Sequence, residues 1–393
     1  MNWRYLKIED FCSTGSGGTP SKSKPEYYEG GDIPWIKSGD LKDSTIYDAN
    51  EYITVAGLEN SSAKIVEKDS ILIAMYGATV GRLAILGINA ATNQAICNIR
   101  PDTTIADMKY LYYFLKSKFS YFVENAVGGA QPNISQGLIR SLEVPLPSLS
   151  EQKRIADILD KADGICQKRE QTIKLADDFL RATFLAMFGD PVENPKGWDV
   201  ASLLEYGSFK NGMNFTKGES GSVLKCLGVG DFKSLATITC MDNIGEIELN
   251  TPPSADYLLN DGDIVFVRSN GNKALVGRCL TIYPGKEKVT FSGFCIRYRI
   301  ENTSITPEYL NFLFRTPSMK QQMLSGGQGA NIQNISQGTL STLRIPVPPL
   351  DKQLAFARLI DFQSSIVKKQ YDKMAESEKL FDALTGGFFT LNK

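Results

Sequence analysis

NISQGLIRSLEVPLPSLSEQ, residues 133–152, returns as NISQGTLSTLRIPVPPLDKQ at residues 334–353. Pro145 matches Pro346, Pro147 matches Pro348, Leu149 matches Leu350 and Gln152 matches Gln353, all at one offset of 201 residues. A constant spacing through so many positions marks a duplication. Working outward, weaker matches stand in the same order: Trp3 with Trp198, SGDL (38–41) with VGDF (229–232), KDSILIAMYGATVGR (68–82) with GDIVFVRSNGNKALVGR (262–278), and KYLYYFLK (109–116) with EYLNFLFR (308–315). The chain is therefore read as two homologous halves.

Each half begins with short apolar runs broken by glycine, such as ILIAM before Tyr76-Gly77 and DIVFV before Arg268-Ser269-Asn270-Gly271. These read as strands joined by turns. An amphipathic helix carrying Leu111, Phe114, Leu115 and Phe122 on one face and a Gly-rich loop follow, giving a compact α+β module with mostly antiparallel strands. After the VPLP and IPVPP segments comes a long helix. Its apolar residues recur at helical spacing: Ile155, Ile158, Leu159 and Ile165 in the first copy, Phe356, Leu359, Ile360 and Ile366 in the second. Ser150 and Asp351 are suitable N-cap residues just beyond prolines.

Roughly 35 residues make a rod of about 50 Å, and its apolar stripe needs a partner. The other copy is the nearest candidate. Antiparallel pairing would give a coiled coil with a pseudo-twofold axis, and GDPVENPKGW (189–198) would be the hinge where the chain begins again. The division expected is a first module at 1–147, a central long helix at 148–190, a second module at 191–348 and a C-terminal long helix at 349–393. Two modules at a fixed separation make a ruler, which suits duplex DNA, where half-sites repeat at about 34 Å.

Composition closes several other routes. With 393 residues, 42% of them hydrophobic, the chain can bury two cores. It has no histidine, so no Ser-His-Asp or Cys-His site and no histidine-metal cluster can form. Seven scattered cysteines without a C-x-x-C pair argue against a disulfide framework or a zinc knuckle. Neither a span of about 18 apolar residues nor a signal peptide is read, so no membrane association and a cytoplasmic location are expected. Net charge is −1, so DNA binding would have to come from local placement of cations.

SLSEQKRIADILDKADGICQKREQTIKLADDFLRATFLAMFGD (148–190), preceded by NISQG and the VPLP strand, resembles the central region of the specificity subunits of type I restriction-modification systems. GGTPS (17–21) followed by GGDIPWIKSGDL (30–41) resembles the opening of many target recognition domains in that family. The resemblance covers essentially the whole chain. It implies two homologous target recognition domains separated by the two long antiparallel helices, and a non-catalytic subunit that recognises a bipartite double-stranded DNA target. It also implies docking of two modification (methyltransferase) subunits, with restriction (motor and nuclease) subunits joining for cleavage. S-adenosylmethionine, ATP and Mg would sit on those partners, and this chain would hold no cofactor and no metal. In agreement, the sequence has no N-P-P-[YF] or D-P-P-[YF] methylation motif, TPPS (251–254) being a poor substitute, and no G-x-x-x-x-G-K-[ST] loop. In the second helix Lys352 replaces Glu151, which makes equal docking of two partners less secure.

Residues identical in two modules that read different sequences cannot discriminate between those sequences. NISQG is therefore read as scaffold, with Ser135 and Ser336 capping the turn that follows. Base or phosphate contacts are expected from polar residues on glycine-bearing loops. These are Lys22, Lys24, Lys37, Thr79, Arg82 and Gln131 in the first module, and Lys210, Asn211, Arg268, Asn270, Lys273, Arg278, Gln328 and Asn331 in the second. Arg82 and Arg278 hold matching V-G-R positions and are better phosphate or structural residues than base readers. Tyr110, Tyr112, Tyr113 and Phe114 are read as core. The rival class is a tandem coiled-coil scaffold or adaptor without nucleic-acid binding, favoured by the near-neutral charge; it predicts no salt-dependent DNA binding.

Overall fold

Ile71–Ala74 and Leu83–Leu86 are buried at all four positions, and their side chains alternate between two cores. Ile71, Ile73, Leu83 and Ile85 face one cluster, while Leu72, Ala74, Ala84 and Leu86 face another, as the two-residue period of a strand requires. Asp263–Val267 repeats the device, with Ile264 and Phe266 on one side and Val265 and Val267 on the other. A sheet covered on both faces explains why these runs are apolar throughout. The computed structural model describes residues 3–129, 131–216, 220–232, 236–325 and 334–389.

The chain divides into two compact units, residues 1–170 with 371–393, and residues 171–370. In the first, a five-stranded sheet has the order Cys12–Ser16, Ile96–Pro101, Ile71–Ala74, Leu83–Leu86, Ser44–Ile46. The second repeats it as Gly207–Asn211, Cys295–Ile300, Asp263–Val267, Cys279–Ile282, Thr237–Ile238. In both sheets only the last pair is parallel. A smaller sheet covers one face: four strands in the first unit, built on Ile33–Ile36 beside Ala90–Thr92, and three in the second, built on Ser222–Leu227 beside Val289–Phe291. The start of each module is tied to its end, Arg4–Lys7 pairing with Glu143–Leu146 and Val200–Ser202 with Arg344–Pro346.

The other face of each large sheet carries a helix, Met108–Ser117 or Pro307–Phe314. Asp107 and Thr306 cap them, each side chain accepting a hydrogen bond from the main-chain N–H of Tyr110 or Tyr309. The single amphipathic helix expected from Leu111 to Phe122 is in fact two, broken at Lys118 before Phe119–Glu124. All of Tyr110 to Leu115 is buried, because this helix lies between the sheet and a long helix. The Tyr110 hydroxyl donates to Pro145 O, and Tyr309 donates to Pro346 O at 2.8 Å, the same bond in both copies.

The long helices are Leu149–Phe188 and Leu350–Phe389, 40 residues each. Each compact unit takes half of each helix. In the first unit Ile155, Ala156 and Leu159 join the core together with Phe389, Phe381 and Leu384 packs against it, and the Arg154 guanidinium lies over the Phe388 ring at 6.0 Å. In the second, Phe184 and Phe188 meet Phe356 edge to face at centroid distances of 5.6 Å, and Gln363 Nε2 donates to Ala176 O at 3.0 Å. In each unit the start of one helix meets the end of the other, so the pairing is antiparallel.

The stretch expected as a hinge, residues 189–198, is instead a hydrogen-bonded cap on the first long helix. Gly189, Asn194 and Gly197 adopt positive φ, and the Asp190 carboxylate accepts from Val192 N and Glu193 N. Trp198 Nε1 donates to Phe188 O at 2.9 Å, satisfying a helix-terminal carbonyl.

Candidate nucleic-acid interface

Three loops converge at the same corner of each module. In the first module Met75 N donates to Ala95 O, Ile134 N to Met75 O and Gly77 N to Pro132 O. These bonds gather the turn after Ile71–Ala74, the turn at residues 93–95 and the NISQG segment. In the second, Arg268 N donates to Phe294 O and Ile335 N to Arg268 O, joining the turn after Asp263–Val267, the turn at 292–294 and the second NISQG. Ser135 accepts from Leu138 N and Ser336 from Thr339 N, capping the short helices Gln136–Arg140 and Gln337–Ser341. Ile134 and Ile335 are buried, and Asn133 exchanges two main-chain bonds with Val127. The repeated pentapeptide is the seat on which the variable loops rest.

Gly17 and Gly212 allow the chain to pass that corner. A Cβ there would lie 1.9 Å from Thr92 O or 2.0 Å from Ser292 O, so only glycine fits.

What projects from the corner differs between modules. The first presents Tyr76, Thr79, Gln94 and Gln131; Thr79 Oγ1 donates to Tyr76 O at 3.2 Å, while Tyr76, Gln94 and Gln131 are exposed. The second presents Arg268, Asn270 and Lys273 with Phe294, which is 61% exposed. Asn270 is partly engaged in its own loop, its Oδ1 accepting from Asn272 N at 2.7 Å. Tyr76, Gln94 and Phe294 were not singled out from sequence. Their signal is positional, since each lies in a turn flanked by buried strands of the large sheet.

Of the other expected residues, Lys37, Arg82 and Lys210 already have their charge matched. Lys37 is ion-paired with Glu51, and Arg82 with Asp43 at 2.6 Å while lying over the Phe119 ring. Lys210 bonds Asp256 at 3.0 Å, and that bond holds the Asp256 carboxyl below its ordinary value. Lys24 donates to the Tyr27 hydroxyl, which raises its ammonium above the ordinary value. Lys22 is exposed in the adjoining turn, Asn211 is exposed at the end of its strand, and Arg278 donates to Phe232 O at 3.2 Å. Gln328 and Asn331 lie outside the described residues.

Of the expected helix-pairing residues, Ile155, Leu159 and Phe356 are fully buried in module cores, and Ile158 and Ile360 are half-buried. Ile165, Leu359 and Ile366 are exposed, as are Leu175, Phe179, Leu354 and Phe362 on the same helices. Burial pushes the thiols of Cys12, Cys97, Cys226 and Cys279 up to about 12, so these cysteines stay protonated at neutral pH and pack as small apolar groups.

The chain is a duplicated α+β module, each copy followed by a long helix, whose loops differ between the copies and rest on a seat that the copies share. The chain belongs to the type I restriction modification DNA specificity domain family, whose pattern matches residues 1–175 and 197–373. It is 24% identical over 399 residues to the MjaVIII specificity subunit of Methanocaldococcus jannaschii, covering 96% of this chain and 90% of that one. With the MjaIX specificity subunit of the same organism it shares 29% identity over 294 residues, 68% of this chain and 66% of the relative. The crystal structure of the type I S subunit from M. genitalium superposes over 99% of this chain and 96% of its own with a TM-score of 0.55 at 17% identity, a likeness of fold. The chain is accordingly a DNA-specificity component and not the catalytic one.

Proposed function

We propose that each module reads one half of a bipartite duplex DNA target through its three-loop corner, and that the long helices dock the methyltransferase subunits. Restriction subunits join the same complex; S-adenosylmethionine, ATP and Mg are used by those partners, and the complex works in the cytoplasm. The observation that carries this reading is the contrast within the repeat. The seat of each corner is the same, down to equivalent main-chain bonds, while the projecting side chains differ in every position compared. Arg268 suits guanine and Asn270 or Gln131 suits adenine. Exposed Phe179 and Phe362 on the helices supply the aromatic anchors that protein interfaces favour.

The test is binding of the purified assembly to a library of duplexes at several salt concentrations. A split consensus, with affinity falling as salt rises, supports the reading. Salt-independent binding or none would favour the adaptor alternative.

A further inference from the structure

The second module gathers a cluster of cations. Arg181 of the first long helix, Arg278 of the V-G-R turn, Arg315 at the end of Pro307–Phe314 and Lys320 of Pro317–Ser325 line one cavity of about 250 Å³, walled by Phe232 and Phe314. Asp177 is the carboxylate that answers them, with Oδ2 2.8 Å from Arg181 Nε and Oδ1 3.7 Å from an Arg315 nitrogen. Asp177 is shared between Arg181 and Arg315, so among the described residues neither of these two cations has a carboxylate of its own. Among the described residues Lys320 donates a long bond, 3.3 Å, to Ala274 O. The Nη1 of Arg315 is buried without a hydrogen-bond partner among those residues, a costly state for a guanidinium donor. Burial lowers the Arg315 guanidinium, with Arg181 and Arg278 adding to the effect, and burial and Arg278 together lower the Lys320 ammonium.

The duplication supplies a control. Lys116 stands where Arg315 stands, and its ammonium is paired with Asp163 at 2.6 Å. At the matching position of the second half the sequence has Ser364 for Asp163, and Arg181 in turn matches Asp382. The acid that neutralises Lys116 is thus absent at the matching position, and a cation stands where the other copy has an acid. Like charges held together in a part-buried site with an unsatisfied donor are best stabilised by an anion that several donors can share.

We propose that this cavity is a phosphate-binding site peculiar to the second module. Its ligand is a phosphate group, either a backbone phosphodiester of duplex DNA, in which case the site rests on the function proposed above, or a free phosphate. The volume admits one such group and several waters, at about 30 Å³ per water.

The full chain, in the assembly in which it is purified, is compared with an Arg181→Gln, Lys320→Gln double variant and with Ser364→Asp. The last restores the first module's acid at an exposed position and keeps the test open should the double variant fold poorly. Duplex DNA of mixed sequence and inorganic phosphate are the probes. If the ligand is the DNA backbone, both variants bind DNA several-fold more weakly whatever its sequence. The slope of log K against log salt then becomes shallower by about 0.9, the share of one neutralised phosphate. If it is free phosphate, inorganic phosphate raises the unfolding midpoint of the wild type and not of the variants, with DNA binding unchanged. Equal slopes in all three proteins, together with no phosphate-dependent midpoint shift in the wild type, would overturn the proposal. Should the wild type bind no DNA at all, the functional reading fails while the phosphate titration still decides this site.

Discussion

Gln152 and Gln353 show how much of the fold one side chain can organise. Both are fully buried. Gln152 Nε2 donates to Ile105 O and Pro147 O, and its Oε1 accepts from Asp107 N. Gln353 repeats the set with Ser304 O, Pro348 O and Thr306 N. Each amide thereby ties the start of a long helix to the cap of its module's helix. Gln353→Ala strands a buried N–H and two carbonyls, and is expected to cost about 3 kcal/mol, read as a lower urea midpoint at unchanged slope. At the recognition corner, Arg268→Ala removes an exposed side chain that bonds no scaffold group in the described contacts. Its expected signature is a loss of about 1–3 kcal/mol in affinity for the cognate site with the melting temperature unchanged. Equal affinity at moderate salt would remove Arg268 from the site. The identity of Gln152 and Gln353 was legible in the repeat, but their role was not, because hydrogen bonds to residues about 45 positions away leave no local pattern.

At the scale of elements, strands and helices were legible where periodicity is strong and illegible where tertiary contacts decide. Short apolar runs with glycine punctuation located the strands, and the prolines of VPLP and IPVPP located the starts of the long helices. Residues 189–198 read as a hinge because prolines and glycines mark turns, yet Asp190, Asn194 and Trp198 lock that turn with side-chain bonds no propensity reveals. The long helices divide into two kinds of apolar residue. Phe184 lies in a cage of Phe188, Tyr309, Phe312 and Phe356, so Phe184→Ala is expected to destabilise by about 3–5 kcal/mol in thermal or denaturant unfolding. Phe179 and Phe362 face outward. Phe179→Asp with Phe362→Asp should leave unfolding unchanged and release the modification subunits, read as a smaller assembly mass by light scattering. Retention of the full mass would place the docking surface elsewhere. Leu159 is unsuited to that test, since it is core and a charge there would unfold its module.

Over the whole molecule, a net charge of −1 is reconciled with DNA recognition by placement. Lys37, Arg82 and Lys116 of the first module are matched with acids, and the second module likewise pairs Lys210, Lys225 and Arg299, while Arg268 and Lys273 project exposed at its corner. The two halves share a scaffold and differ in where their exposed cations stand. Duplication was the most legible property of the chain, since a repeat is a statement about the sequence itself. The cation cavity was the least legible, because Arg181, Arg278, Arg315 and Lys320 come from four separate elements. The most direct test of two modules reading two halves is methylome mapping in cells carrying the wild-type gene, a deletion, and Arg268→Ala. The account predicts a split adenine-methylation motif that vanishes on deletion and relaxes in one half only with the variant. An unsplit motif, or one that outlives the deletion, would contradict it.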